Sequence, residues 1–160
     1  MKVYHGGTSV IERPVVATGR PRLDFGQGFY VTDIKSQAES WALRMQQIRL
    51  TPGIVNVYEF DLANARNVFT YMKFEHYDNE WLQFIVANRM GVKTLQPFDI
   101  IEGGVADDRV IDTIEAYMAN MMPLENALRE LSRHRPNNQI CITNQDVVNS
   151  FLSFDSSYNI

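Results

Sequence analysis

The sequence predicts an α+β fold with mostly antiparallel strands, in a single domain spanning residues 1–160. Runs of β-branched and aromatic residues, typical of strands, are mixed with apolar residues at spacings of three and four, typical of helices. The two kinds of segment do not alternate regularly, as they do around a parallel sheet. With 45% hydrophobic and 21% charged residues, the composition is that of an ordinary globular domain with a sizeable core.

The prediction depends most on residues 24–42, which form a loop, a strand and the start of a helix. Gly26 and Gly28 allow a tight turn and leave room for a ligand close to the main chain. Residues 29–32 are of strand type, and Asp33 is expected to cap the helix that follows, because its carboxylate can accept bonds from free N–H groups. The apolar residues of the helix fall on one face: Ile34, Ala38, Trp41, Ala42, Met45 and Ile48.

The segment before this one contains a short strand and a long loop. Residues 2–5 are predicted to form the strand, which Gly6 and Gly7 interrupt. Residues 11–27 are predicted to form a loop, and a loop of this length is usually functional or mobile. Its arginines, Arg13, Arg20 and Arg22, either bind phosphates or are solvated surface charges.

The rest of the chain alternates irregularly between strands and helices. Strands are predicted at residues 54–62, 67–71, 98–101, 139–143 and 151–154. Helices are predicted after Asp78, ending at Gly91, and after Asp107, Pro123 and Asn144.

Several classes of protein are excluded by what the sequence lacks. Neither a dinucleotide-binding GxGxxG nor a P-loop occurs, and residues 24–26 (DFG) stand without the other kinase motifs. Cys141 is the only cysteine, which argues against disulfides and cysteine-rich metal sites. No apolar run is long enough to span a membrane, and a cytoplasmic location is expected. The net charge of −4 argues against a broad nucleic-acid surface but allows a local patch.

Three segments form an ordered set of motifs. They read Tyr4-His5-Gly6-Gly7-Thr8, then residues 25–33 (FGQGFYVTD) with Ser36 and Trp41, then residues 138–143 (NQICIT). In this order they resemble the ADP-ribosyltransferase superfamily, in its His-Tyr-Glu branch, which includes diphtheria toxin and the poly(ADP-ribose) polymerases. The chain is more closely similar to an uncharacterised bacterial family of small proteins in that superfamily, for which residues 100–108 (IIEGGVADD) are also typical.

The resemblance implies a fold of two packed, mostly antiparallel sheets flanked by helices, with an NAD cleft between them. NAD would be a co-substrate, and no metal is expected. In this pattern His5 hydrogen-bonds a ribose hydroxyl, Gly6 binds the nicotinamide carboxamide through its backbone, and Tyr30 stacks on the nicotinamide ring. Trp41 closes the other side of the ring, and the remaining contacts come from Thr8, Gly28 and Ser36.

The sequence departs from the pattern at Gln139, where the polymerases have a glutamate. A glutamine can orient a hydroxyl, but it carries no charge and cannot act as a general base. Three outcomes remain open: mono-ADP-ribosyl transfer, a specialised target that supplies its own reactivity, or an NAD binder with little activity.

The resemblance implies mono-ADP-ribosyl transfer to a protein or nucleic-acid acceptor, and suggests a toxin with a cognate antitoxin protein. The first alternative is an inactive module of the same fold that binds NAD or a partner protein. The second is a nucleic-acid-binding effector without NAD chemistry. Structural roles are also open for His5 at its strand end, for Trp41 in the core and for Gln139 at its strand start, while Cys141 is expected to be buried and inert.

Overall fold

The computed structural model describes residues 1–92 and 97–160, and within these ranges the chain forms seven strands and six α-helices. The strands are β1 (Lys2–Gly7), β2 (Phe29–Val31), β3 (Ile54–Phe60), β4 (Tyr71–Phe74), β5 (Ile100–Gly103), β6 (Gln139–Ile142) and β7 (Leu152–Asn159). The helices are α1 (Lys35–Arg49), α2 (Leu62–Val68), α3 (Asn79–Arg89), α4 (Ile111–Met118), α5 (Leu124–Leu131) and α6 (Gln145–Phe151).

These strands form two sheets, so the predicted α+β class is confirmed. One sheet has the order β1-β3-β7 and is antiparallel throughout. The other has the order β2-β6-β5-β4, in which only the β4–β5 pair is parallel. A single antiparallel bridge between Tyr4 and Thr32 connects β1 to the end of β2. The two sheets therefore meet at β1 and β2.

The buried side chains of the described residues form three clusters, which explain how the helices are placed. The two sheets pack face to face through buried side chains from both, among them Val3 and Tyr58 on one side and Val31 and Ile140 on the other. The opposite face of the four-stranded sheet is covered by a second cluster, to which α3, α4 and α5 contribute Trp81, Leu82, Ile85, Ile114, Ala127 and Leu131. The smallest cluster joins α1 to the three-stranded sheet.

Helix α1 forms where it was predicted, but its start differs. Asp33 does not cap it: Ile34 occupies the N-cap position, without a side-chain bond. The Asp33 carboxylate instead accepts a bond of 2.9 Å from Nδ2 of Asn138, so a partner distant in sequence takes the group that local chemistry assigns to the cap.

The predicted apolar face of α1 is only partly buried. Ala38 and Ala42 are buried against the sheet, whereas Trp41 is 42% exposed and Ile48 is 66% exposed. The reason is the close approach of the helix to Gly6, where a Cβ atom would meet Ala42 N at 2.9 Å and Ala38 O at a shorter distance still. Only alanine-sized residues fit this contact, and the larger apolar side chains are left at the edge.

Some of the other predicted elements are also corrected. The predicted strand at residues 67–71 is wrong: α2, capped by the Asp61 carboxylate, extends through Val68, and β4 begins only at Tyr71. Asp107 does not cap α4, because its carboxylate binds Arg109. By contrast, Asp78 caps α3 as predicted, with a bond of 3.0 Å from the backbone N–H of Trp81.

Two element ends lie close to their predicted positions. Asn144 caps α6, and its side chain accepts a bond of 2.9 Å from the backbone N–H of Asp146. Pro123 stands at the N-cap position of α5 rather than within its first turn.

The last strand is longer than predicted, because β7 runs antiparallel to the whole of β3.

Candidate functional site

A cleft of about 870 Å³ opens beside the junction of β1 and β2. Its walls come from β1, the loop between β1 and β2, helix α1, residues 105–108, and the start of β6. Seven of the predicted site residues line it: His5, Gly6, Thr8, Gly28, Tyr30, Trp41 and Gln139. The fold thus brings together residues from both ends of the sequence.

Ser36 is the predicted site residue that the structure does not bring to the cleft. It is exposed in the first turn of α1, and its carbonyl oxygen accepts a bond of 2.8 Å from the Ser40 hydroxyl. Gln37 and Ala38, in the same turn, do line the cleft, so Ser36 lies on a side of α1 that faces away from it.

The orientation and the protonation state of His5 follow from its contacts. Its Nδ1 lies 2.7 Å from the carbonyl oxygen of Tyr30, and its ring stacks on Phe29 at a centroid distance of 4.8 Å. A carbonyl oxygen can only accept, so Nδ1 carries the proton. Burial lowers the pKa of His5, against the opposing effect of the Tyr30 bond. The imidazole is therefore neutral at pH 7, with Nε2 left as an acceptor.

The backbone of Gly6 faces the cleft side of β1. Tyr4 exchanges two backbone bonds with Thr32, of 2.8 and 2.9 Å. In an antiparallel strand the N–H and C=O groups of residues two apart point the same way. Those of Gly6 therefore point in the direction of the Tyr4 groups, beyond the place where the pairing between β1 and Thr32 ends.

Tyr30 is held by its hydroxyl group. The hydroxyl donates a bond of 2.6 Å to the carbonyl oxygen of Gly26 and accepts one of 3.1 Å from the backbone N–H of Phe25. Burial raises the pKa of Tyr30 well above its usual value, so the phenol keeps its proton. These bonds close the turn at Gly26, whose φ of 82° favours glycine. The ring is thereby fixed at the cleft wall.

Gly28 lines the cleft and also packs closely against β6. A Cβ atom there would lie 2.7 Å from the carbonyl oxygen of Ile142 and closer still to the sulfur of Cys141. Cys141 is buried, as predicted, and burial raises its thiol pKa to about 12. A thiol with so high a pKa is unreactive near neutral pH. The close contact with β6 thus explains Gly28 without reference to any ligand.

Gln139 and Tyr30 lie on the same face of the four-stranded sheet. Tyr30 pairs with Cys141, and Gln139 is two residues before Cys141 on β6, so the alternation of a strand gives them a common face. Among residues 1–92 and 97–160, the Gln139 side chain has no hydrogen-bond partner. Its amide group is available to a ligand.

One wall of the cleft is built around Asp24, which sequence reasoning missed as a site residue. Its carboxylate binds Nε of Arg89 at 2.6 Å and the backbone N–H of Ala106 at 2.6 Å, and Asp24 is buried. This ion pair fixes the loop before β2 against α3 and residues 105–108. No local signal identifies it, because its partners are far away in sequence.

A second set of contacts, also missed, holds residues 105–107 next to β6. Asn137 accepts a bond of 2.8 Å from the backbone N–H of Val105 and donates one of 3.0 Å to the Asp107 carboxylate. Burial acts to raise the pKa of Asp107, but hydrogen bonds from Arg109 and Asn137 outweigh it, and the pKa is lowered. Asp107 is therefore an ionised group at the cleft.

The loop at residues 11–27 is anchored along its length. The backbone N–H of Ile11 donates to Asn56 at 2.8 Å, and that of Val16 donates to Gln145 at 2.8 Å. Gln27 donates to the carbonyl oxygen of Gly19 at 2.7 Å. These contacts make the loop a wall of the cleft that is tied to several elements.

Positive side chains also reach the cleft. Arg20, Arg44 and Arg49 are among its lining residues, whereas Arg13 and Arg22, the other loop arginines, are exposed outside the lining. The cleft thus combines hydrogen-bonding groups and an aromatic ring at its base with cations at its edge.

Comparison with known proteins identifies the family. The model of the family described as "Protein of unknown function (DUF3990)" matches residues 1–154. The chain belongs to this family. The match to DUF3990 covers every lining residue of the cleft. Neither the curated proteins nor the solved structures give a significant match.

Two further findings concern the described part of this DUF3990 chain. Within residues 1–92 and 97–160, no helix has the length and apolarity needed to cross a membrane. In the same ranges, no group of three or more histidine, cysteine, aspartate or glutamate side chains is arranged to hold a metal ion.

Proposed function

We propose that this DUF3990 protein binds NAD⁺ in the cleft and transfers its ADP-ribose unit to a macromolecular acceptor. The observation that carries the proposal is that His5, Tyr30 and Gln139 border one cleft. They are separated by up to 134 positions in the chain, and they are the residues on which the resemblance to ADP-ribosyltransferases depends.

The reaction breaks the bond between C1′ of the ribose and the nicotinamide nitrogen. Nicotinamide leaves with the bonding electron pair, a nucleophilic atom of the acceptor bonds to C1′, and the acceptor proton passes to solvent. The transition state resembles a ribosyl cation, so catalysis depends on fixed geometry and on groups that tolerate positive charge. The cleft offers groups held in fixed positions, among them His5 and Tyr30.

Each group has a role that its geometry fits. His5, neutral and held through Nδ1, presents Nε2 to accept a bond from a ribose hydroxyl. Gly6 offers an N–H and a C=O, which together match a carboxamide. Tyr30 offers the face of a ring fixed by its hydroxyl group. Gln139, on the same face of the sheet as Tyr30, can orient a hydroxyl group of the ribose or the acceptor.

The test is nicotinamide release by the wild type, Gln139→Ala and Gln139→Glu. Gln139→Ala should lower the rate by about tenfold or more, as expected for one directed polar group in an active site. Gln139→Glu should raise the rate, because a carboxylate favours the developing positive charge. Gln47→Glu adds the same charge to an exposed position of α1 and should leave the rate unchanged. Equal rates in all four proteins would contradict the assignment.

A second candidate function is a module that binds NAD⁺ with little or no turnover, and the uncharged Gln139 favours it. In that case NAD⁺ should raise the melting temperature of the wild type but not of Tyr30→Ala, and no variant should release nicotinamide. At about one hundred times the dissociation constant, binding adds about 2.7 kcal/mol, which a thermal scan detects.

A toxin-like role with a cognate antitoxin protein belongs to the proposal through the resemblance alone. Expression in a bacterial host tests it. The wild type should arrest growth, and Tyr30→Ala, with the stacking ring removed, should not. Arrest by both proteins would separate toxicity from the cleft.

A further inference from the structure

The positive charge of the chain is concentrated in its first 50 residues. These contain seven Lys and Arg against four Asp and Glu, whereas the remaining 110 residues contain eight against fifteen. Five arginines of this part, with one tryptophan, form what we call the basic rim: Arg13, Arg20, Arg22, Arg44 and Arg49, with Trp41. The net negative charge of the whole chain therefore does not describe the surroundings of the cleft.

The rim arginines at the cleft are available to an anion. Within residues 1–92 and 97–160, Arg20 and Arg49 form no ion pair, and both are exposed. Arg44 has one partner, Asp108, at 3.4 Å, and the two side chains are 55% and 89% exposed. An ion pair so exposed contributes little and is easily exchanged for a phosphate.

The rim extends beyond the cleft. Arg13 and Arg22 are outside the lining, but each stands between lining residues, Arg13 between Ile11 and Val15 and Arg22 between Arg20 and Leu23. A dinucleotide confined to the cleft would not contact these two arginines. A ligand that extends out of the cleft, with repeated negative charges along its length, is the kind that they could attract.

Trp41 indicates which polyanion fits. It is 42% exposed, lines the cleft, and has the Arg44 guanidinium 5.7 Å from its ring centre. Sites for single-stranded nucleic acids combine an exposed aromatic face, on which a base stacks, with arginines along the backbone path. An acidic protein segment would use the arginines but has no base to stack on Trp41.

We propose that the acceptor is a single-stranded nucleic acid, bound along the basic rim with a base stacked on Trp41. This inference rests on the proposed function and names its substrate class. The transfer joins C1′ of the ribose to a ring nitrogen or hydroxyl oxygen of a nucleotide, whose proton passes to solvent as nicotinamide leaves. The rim thus delivers the acceptor to the open side of the site.

The first experiment measures binding without NAD⁺. Fluorescence anisotropy compares a labelled single strand of roughly 20 nucleotides, as DNA and as RNA, with labelled polyglutamate, at about 50 and about 200 mM NaCl. If three rim arginines contact phosphates, wild-type affinity for the single strand should fall about 20-fold over this salt range. Polyglutamate should bind more weakly.

Matched variants test whether the rim is responsible. Arg20→Gln with Arg49→Gln should weaken nucleic-acid binding about tenfold or more and reduce its salt dependence. Arg129→Gln with Arg135→Gln removes the same charge from exposed positions outside the cleft and should have little effect. Trp41→Ala should weaken binding about tenfold, and Leu43→Ala, at another exposed apolar position of α1, should not.

Three results would overturn the inference: equal losses in the rim and control pairs, polyglutamate binding as tight as the single strand, or no binding at all. Transfer of label from radioactive NAD⁺ to the nucleic acid completes the support. If the wild type releases nicotinamide but does not bind the single strand, the inference is refuted and the proposed function stands. Rim-dependent binding without NAD⁺ turnover would refute the proposed function and the acceptor role, leaving only a nucleic-acid surface.

Discussion

Two neighbouring glycines, Gly6 and Gly7, differ in whether the fold leaves room for a side chain. At Gly6, a Cβ atom would enter the backbone of α1, with Ala42 N at 2.9 Å and Ala38 O closer. At Gly7, the nearest atom would be Nε2 of His5 at 3.5 Å, which is ordinary contact. Both glycines are in β1, so strand propensity is matched between Gly6→Ala and Gly7→Ala.

The magnitudes follow from the atoms that must move. Overpacking costs about 1–3 kcal/mol, and Gly6→Ala should lie at about the upper end because the obstacle is helix backbone rather than a flexible side chain. Gly7→Ala should be neutral or stabilising by up to about 1 kcal/mol, because alanine restricts the unfolded chain. The two variants should therefore differ by about 3 kcal/mol in their free energies of unfolding.

Urea denaturation measures this difference. With a slope of about 2 kcal/mol per molar urea, the two midpoints should differ by roughly 1.5 M. Midpoints within roughly 0.3 M of each other would refute the reasoning, since they would mean that α1 does not press on Gly6.

Three further predictions concern the walls and base of the cleft. Tyr30→Phe should lose about 2 kcal/mol of stability in urea titrations, because the carbonyl oxygen of Gly26 loses its partner; an unchanged midpoint would contradict this. Asp24→Asn should lower the free energy of unfolding by about 3 kcal/mol, since it leaves the Arg89 guanidinium without its charge partner. A double-mutant cycle with Arg89→Gln should show that most of this loss is interaction energy between the two side chains. His5, with its pKa lowered by burial, binds its proton more weakly when folded, so wild-type stability should fall as pH drops below the ordinary value of 6.5. The free energy of unfolding should change with pH by up to about 1.4 kcal/mol per unit more in the wild type than in His5→Gln, and equal slopes would refute the prediction.

Local sequence signals predicted the elements whose chemistry is local. Asp78 precedes an apolar helix and caps it. Strand β6 forms where β-branched Ile140 and Ile142 alternate with Gln139 and Cys141. The same signals failed where a distant partner competes. Asp33 has the right residue type and position for a cap, but Asn138 takes its carboxylate, and no pattern near residue 33 indicates that.

Only part of the site could be found by the same means. The motifs around His5, Tyr30 and Gln139 gave the residues at the base of the cleft. The wall made by Asp24 and Arg89 depends on a contact between residues 65 positions apart, which periodicity does not encode. Burial on α1 was predicted from apolar spacing alone, and the spacing could not indicate that backbone at Gly6 would approach the helix so closely.

Glu102 is a buried carboxylate on β5, next to β6, and its placement bears on what Gln139 does. It pairs with Ile140 on β6, so it lies on the opposite face of the sheet from Gln139. Its carboxylate accepts bonds of 2.5 Å from the Tyr71 hydroxyl and 3.2 Å from Nδ2 of Asn138. Glu102 therefore cannot supply the charge that Gln139 lacks.

The carboxylates that do line the cleft are also engaged. Among the lining residues these are Asp24, Asp107 and Asp108, which contact Arg89, Arg109 and Arg44 respectively. Asp24 and Asp107 are compensated by ion pairs of 2.6 Å, and Asp108 is 89% exposed to solvent, so little negative potential remains to stabilise a ribosyl cation. Under the proposed function, catalysis would then depend mainly on positioning. It follows that nicotinamide release should be slow with water alone and faster once an acceptor brings its own nucleophile to C1′.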